Sequence, residues 1–137
     1  MTMSQDSNIA IAQRLLAGIG EGKDPDTLAA MFAEDLDFDI QGDDGVLPWI
    51  GHKTGRKAAA DFFREIRVLT EPVRFEVEDI LGSASRAVIV GELATRIKSS
   101  GKVVNTQFAI ILTVAGDTIT RFQMLEDSFD LSQAVRG

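Results

Sequence analysis

Cysteine and tyrosine are absent from this 137-residue chain, histidine and tryptophan occur once each, and proline occurs three times. Without cysteine there is no disulfide, no thiolate nucleophile and no cysteine-based zinc or iron–sulfur site, a composition compatible with a reducing compartment. Positive charge is scarce too: 14 Lys and Arg stand against 21 Asp and Glu, a net charge of -7. That balance repels phosphate backbones and anionic membrane surfaces, so neither nucleic acid nor membrane is expected as a partner. No apolar run approaches the ~18 residues of a membrane span. The polar start, Met1 to Asn8, has neither the basic nor the apolar region of a secretion signal. A cytoplasmic protein is the resulting expectation.

What is present, 45% hydrophobic residues in a chain near the commonest domain size, suffices for one core. The polar residues 1–8 are expected to form a disordered tail and residues 9–137 a single domain. The single Trp and single His fall within four positions of each other, in Trp49-Ile50-Gly51-His52-Lys53-Thr54-Gly55-Arg56. This stretch joins an acidic turn to an amphipathic helix, and loops anchored by a scaffold are where binding groups concentrate.

Apolar residues at Ile9, Ala12, Leu16 and Ile19, with Leu15 beside them, keep helical spacing until Gly18, Gly20 and Gly22 end the pattern. Asp24-Pro25-Asp26 supplies a cap, a first-turn proline and an acid near the positive helix end, so a short second helix follows, carrying Leu28, Met31 and Phe32. Leu36, Phe38 and Ile40 then alternate with Asp37, Asp39 and Gln41, the period-two pattern of a strand with one buried face. Gln41-Gly42-Asp43-Asp44-Gly45 turns the chain. Thr54 is expected to cap a third helix with an inner stripe of Ala59, Phe62, Phe63, Ile66 and Leu69, and with Lys57 and Asp61 paired outside.

After Pro72 the pattern is β-rich: Val73-Phe75-Val77, Ala87 to Ile97, Val103 to Val114 and Thr118 to Leu125, divided by short turns such as Ser99-Ser100-Gly101-Lys102 and Ala115-Gly116-Asp117. The order ααβαββββ implies an α+β domain in which a curved antiparallel sheet wraps around helices. In the strand from Val103, Val104, Phe108, Ile110 and Leu112 lie on one side while Val103, Ala109 and Ile111 lie on the other. One face can cover the helices; a sheet-to-sheet homodimer is the simplest cover for the second.

This order, with Met31-Phe32-Ala33-Glu34-Asp35-Leu36-Asp37-Phe38, Gly55-Arg56-Lys57-Ala58-Ala59-Ala60-Asp61-Phe62-Phe63 and the segment from Gly116-Asp117-Thr118-Ile119 to Asp127, resembles the nuclear-transport-factor-2-like (cystatin-like) cone folds. Within them it resembles the SnoaL-like polyketide cyclases and ketosteroid isomerase relatives. The resemblance implies a conical barrel with a mostly apolar cavity. Trp49 and His52 would stand at its rim, with Leu16, Phe38, Ile40, Phe62, Phe63, Glu92, Phe108 and Glu126 among the lining residues.

The same resemblance excludes some chemistry. Ketosteroid isomerase needs a carboxylate base and two acidic hydrogen-bond donors. The corresponding positions here fall on Ile40, near Leu16, and near Thr113 or Val114, and the chain has no Tyr. The Asp-Arg-Asp arrangement of limonene epoxide hydrolase finds Asp127 but no Arg-x-Asp partner, since that region reads Gly91-Glu92-Leu93-Ala94-Thr95-Arg96, which makes it the less favoured activity. The SnoaL-like cyclases match best at Asp127-Ser128-Phe129-Asp130-Leu131, where the Asp acts as general acid/base on an activated substrate and no cofactor is required. Asp127 is therefore the expected acid/base, assisted by His52, whose ordinary pKa near ~6.5 allows both protonation states. Alternation makes Glu126 the rival: if Phe122 and Met124 face inward, Glu126 follows them and Asp127 faces out unless a bulge intervenes.

Glu92 is a further pocket candidate, because a carboxylate in an apolar strand needs a partner or a raised pKa. Asp37 and Asp39 should face solvent, and the acids Glu34, Asp35, Asp43 and Asp44 form no calcium-loop pattern, so no metal is expected. Two functions stay open: a cofactor-free cyclase or isomerase acting on a hydrophobic small molecule, and a non-catalytic ligand-binding or dimerisation module of the same fold.

Overall fold

The computed structural model describes residues 3–42 and 45–136; Asp43 and Asp44, named above among the acids that form no calcium loop, lie outside them. Helix α1 (Met3–Gly20) and helix α2 (Pro25–Ala29) precede strand β1 (Phe32–Ile40) and a short strand β2 (Gly51–Thr54). Helix α3 (Arg56–Leu69) is followed by β3 (Thr70–Gly82), β4 (Arg86–Ile97), β5 (Val103–Ala115), β6 (Thr118–Leu125) and helix α4 (Ser128–Arg136). The α+β architecture thus follows the expected order with two additions, β2 before α3 and α4 at the end.

The six strands form one sheet, ordered β2-β1-β6-β5-β4-β3, which curls around the helices without closing. Every neighbouring pair is antiparallel except β1 with β6. That parallel pair departs from the all-antiparallel expectation, and it follows from the long crossover that brings the end of the chain back beside its first strand. The inner face carries Leu36, Phe38 and Ile40 of β1, Phe122 and Met124 of β6, and Phe108, Ile110 and Leu112 of β5, all buried. Phe38 stacks on Phe122 with centroids 5.3 Å apart, and Phe62 of α3 packs 5.6 Å from Phe38 and 5.9 Å from Phe122. Each such ring contributes on the order of 1.5–3 kcal/mol by leaving water.

The helix starts show how local chemistry and sheet pairing compete. Asp24 caps α2 as expected, its carboxylate accepting from Asp26 N at 3.0 Å. Thr54 does not cap α3: it is the last residue of β2, paired with Asp37, so Gly55 takes the cap position at φ 109 and donates its N–H to Leu36 O at 2.8 Å. A β-carbon there would be strained by that positive φ. The expected disordered tail is likewise corrected over residues 3–8, which are the first turns of α1. Asn8 is buried and its Nδ2 donates to Ser83 O at 2.9 Å, so a polar stretch is held by a partner 75 positions away.

β3 is an edge strand and almost wholly exposed. Two register shifts, Pro72, and the charges Glu71, Arg74, Glu76, Glu78 and Asp79 blunt that edge against pairing with other chains. Opposite one shift, Gly91 of β4 lies so near the Glu76 carbonyl that an added β-carbon would sit 2.0 Å from its oxygen. A side chain does not fit at this close approach of the two backbones.

Candidate functional site on the inner face

Residues expected to line a cavity instead interlock. Phe38, Ile40, Phe62, Phe63 and Phe108 are all buried, and Leu16 packs at the core's margin. Trp49, expected at a rim, is only 4% exposed and meets Phe62 edge-on at 5.9 Å. A large apolar ring on a connecting segment gains more from the core than from solvent. Two cavities lie elsewhere: one of about 250 Å³ beside Ser4, Ser7, Asn8 and Asp117, and one of about 370 Å³ between α2 and α3 beside Asp26, Arg56, Lys57, Asp61 and Arg64.

Helices leave part of the inner face open. Phe75 pairs with Leu93 and Val77 with Gly91, both inward positions, yet these side chains are 49% and 40% exposed. Phe75 stacks on Phe108 with centroids 4.9 Å apart. The sequence stretch Val73-Phe75-Val77 carried the alternation that marks this face, but not the fact that no helix covers it.

Glu126 borders the same region. β6 ends at Leu125, which pairs with Ala109, so Glu126 leaves the sheet level with Phe108 and follows the inward alternation of Phe122 and Met124. No bulge interrupts that alternation; the only shift between β5 and β6 is at Thr113 and Val114. The Glu126 side chain is half-buried, and burial, helped by the neighbouring Asp127 charge, pushes its carboxyl up to about 7. None of the hydrogen bonds or ion pairs among the described residues involves it.

Asp127 is placed differently from the expectation that made it the principal acid/base. It is exposed, its Oδ1 accepts from Asp130 N at 2.9 Å at the start of α4, and its own N–H is donated to Thr106 Oγ1 at 2.9 Å. Period two sends it outward, where its carboxylate satisfies a helix end.

His52 stands on the other face of the sheet from Glu126. In β2 it pairs with Asp39, and its Nε2 lies 2.5 Å from Asp37 Oδ1, both exposed. Arg121 Nε is 3.2 Å from Asp37 Oδ2, close enough for an ion pair though not aimed as a hydrogen bond. Glu92 is on this outer face as well, opposite Gln107 and 3.3 Å from Arg74 Nη1. The structure therefore places Glu126 just beyond the Ala109–Leu125 pair, separates it from His52 and Glu92 on the outer face, and adds Phe75 and Val77 beside Phe108. Among the described residues no three His, Asp or Glu side chains converge to hold a metal ion.

The fold and the order of its elements are those of the nuclear-transport-factor-2-like proteins. A solved protein of that type from Burkholderia xenovorans LB400 superposes with a TM-score of 0.85 at 25% identity, covering 98% of this chain and 99% of the other. A candidate SnoaL-like polyketide cyclase from Jannaschia sp. CCS1 gives 0.77 at 14% identity over 98% and 95%, and a candidate isomerase from Bacillus subtilis gives 0.81 at 12% over 99% and 97%. These likenesses concern the fold. The SnoaL-like domain model matches residues 12–122, and the chain belongs to that family. None of the curated proteins matches it.

Proposed function

We propose that this SnoaL-like protein binds an apolar small molecule against Phe75, Val77 and Phe108, with Glu126 transferring a proton to or from it without a cofactor. The observation that carries this reading is a half-buried carboxyl with no bonding partner among the described residues and an acidity poised near neutrality. A general acid/base works best when its pKa lies near the working pH, because both forms are then populated. Glu126 takes the place expected of Asp127, and His52 has no part in the step. In an isomerisation, the Glu126 carboxylate removes a proton from an acidic carbon and the resulting acid returns it at another atom.

The test is the 13C titration of the Glu126 carboxyl, assigned by its disappearance in Glu126→Gln, beside a proton-abstraction assay with 5-nitrobenzisoxazole, an uncharged planar probe. The expected midpoint is about 7. Ring opening of the probe should fall by at least ~100-fold in Glu126→Gln. A midpoint in the ordinary carboxylate range, or probe turnover equal in the two proteins, would sink the proposal.

A second reading concerns the outer face, where Leu125 is 42% exposed near half-buried Val88, Val90, Ala109 and Ile111. This apolar band supports a homodimer formed sheet to sheet, with Asp37, His52 and Arg121 to one side. Sedimentation of the wild type and of Ile111→Lys checks it: a dimer reduced to monomer is expected, and a monomeric wild type removes the reading. The cytoplasm remains the proposed location; among the described residues no helix is long and apolar enough to cross a membrane.

A further inference from the structure

We propose that the cavity between the start of α1 and two turns of the sheet is a binding site for a small primary ammonium ion with a short aliphatic body. It shares no residue with the face that carries Phe75, Phe108 and Glu126, and it stands or falls independently of the reading given for that face.

Three separate pieces of chain frame this cavity and are bonded to one another. Asn8 Nδ2 donates to Ser83 O at 2.9 Å, which ties α1 to the turn between β3 and β4. Val114 N donates to Ser85 O at 2.9 Å, which ties that turn to the end of β5. The helix presses so closely on the turn that a β-carbon on Gly82 would sit 2.8 Å from Gln5 O. Ser83 Oγ accepts the N–H groups of Ser85 and Arg86 and holds the turn in shape. The enclosed space is about 250 Å³, below the ~300 Å³ at which drug-sized pockets begin, so it suits a ligand of few heavy atoms.

The lining selects the ligand's charge. Asn8 is 5% exposed, and its bond to Ser83 uses Nδ2 and leaves Oδ1 with no donor among the described residues. A buried acceptor in that state costs free energy until a donor reaches it. Ser4, Ser7 and Asp117 line the same space, and their side chains have no bonding partner among the described residues. No Lys, Arg or His lines it, so an anion would meet a carboxylate and no counter-charge. An ammonium group brings three N–H donors and a positive charge, which match Asn8 Oδ1, a serine hydroxyl and the Asp117 carboxylate. Asp6, in the first turn of α1, offsets the positive helix end that would otherwise repel a cation. Ala84 and the buried Val114 supply an apolar wall for the carbon atoms of the ligand.

The experiment titrates 15N-labelled protein with ethylammonium chloride, beside sodium chloride, tetramethylammonium chloride and sodium propionate at matched ionic strength. Ethylammonium should shift the Asn8 side-chain amide and the backbone amides of Ser7 and Gly116, and the shifts should saturate. The other salts should leave these resonances in place, because tetramethylammonium has the charge without N–H donors and propionate has the opposite charge. Asp117→Asn keeps a turn-forming side chain at an exposed position and removes the charge. Half-saturation in that variant should need at least ~10-fold more ethylammonium, since a hydrogen bond to a charged group is lost. An unshifted Asn8 amide in the ligand-free variant verifies that the bond to Ser83 is intact. Absence of a saturating response to ethylammonium overturns the proposal, as does an equal response to sodium or tetramethylammonium. Saturation by propionate instead, or an unchanged half-saturation point in Asp117→Asn, overturns it too.

Discussion

Asp37 and Glu126 are carboxylates on one curled sheet, yet their surroundings give them opposite characters. Asp37 is on the outer face between His52 Nε2 at 2.5 Å and Arg121 Nε at 3.2 Å, so its charge is shared with partners and with water. Glu126 is at the margin of the inner face with no partner among the described residues, and burial raises it to about 7. The difference teaches that in this fold parity along a strand decides what an acid can do. The outer face ties acids into a surface network, whereas burial at the inner margin raises the carboxyl of one.

The sharpest way to break the comparison is at neighbouring positions of β6, where Phe122 faces in and Arg121 faces out. Phe122→Ala removes the ring that touches Phe32, Phe38 and Phe62 and should cost about 3–5 kcal/mol in denaturant unfolding. A loss under about 1 kcal/mol would mean the inner face is not the core.

The next effect is carried by pH. Glu126 is raised in the folded state, so the folded protein binds more protons than the unfolded chain between the ordinary value of 4.5 and about 7. Stability is therefore full below that window and falls as pH rises through it, by at most about 3 kcal/mol and by less where solvent reaches the carboxyl. Glu126→Gln should abolish this slope in urea melts collected from pH 4 to pH 8, and a slope that persists assigns it to another group.

Smaller effects test the outer face. His52→Gln and Arg121→Ala should each change stability by about 0.2–1 kcal/mol, because exposed pairs trade bonds with water. Neither should alter turnover of the benzisoxazole probe; a loss with His52→Gln would restore its part in the reaction. The smallest change is expected for Lys57→Ala on α3, about 0.3–0.5 kcal/mol. Asp61 is held below its ordinary value, first by its bond to Lys57 and then by Arg64. This contribution is present above the ordinary Asp range and lost as pH falls through the Asp61 midpoint, so wild type and Lys57→Ala should converge in acid.

Periodicity made the sheet legible: Leu36, Phe38 and Ile40 are buried, and so are Phe122 and Met124 of β6. The resemblance of the terminal segment to the cyclases favoured Asp127, but backbone parity outweighs it. Trp49 and His52 were misplaced for a different reason. Gly51 to Thr54 is too short to display a period, so nothing in those residues says that they pair with β1, send His52 to the outer face and leave Trp49 to fill the core. Thr54 lost its cap to the same pairing. Residues 3–8 look like a polar tail in sequence because the partner of Asn8 lies on a turn no local pattern connects to it.

That last contact bears on the order in which the molecule is made. Asn8 leaves the ribosome 75 residues before Ser83, the carbonyl it will hold, and the first turns of α1 rest on a turn between strands not yet synthesised. Closing so long a loop delays its reward. The first turns of α1 are thus secured only after β3 has been made. A fusion placed before Met3 would therefore act on a contact that forms only once Ser83 is present.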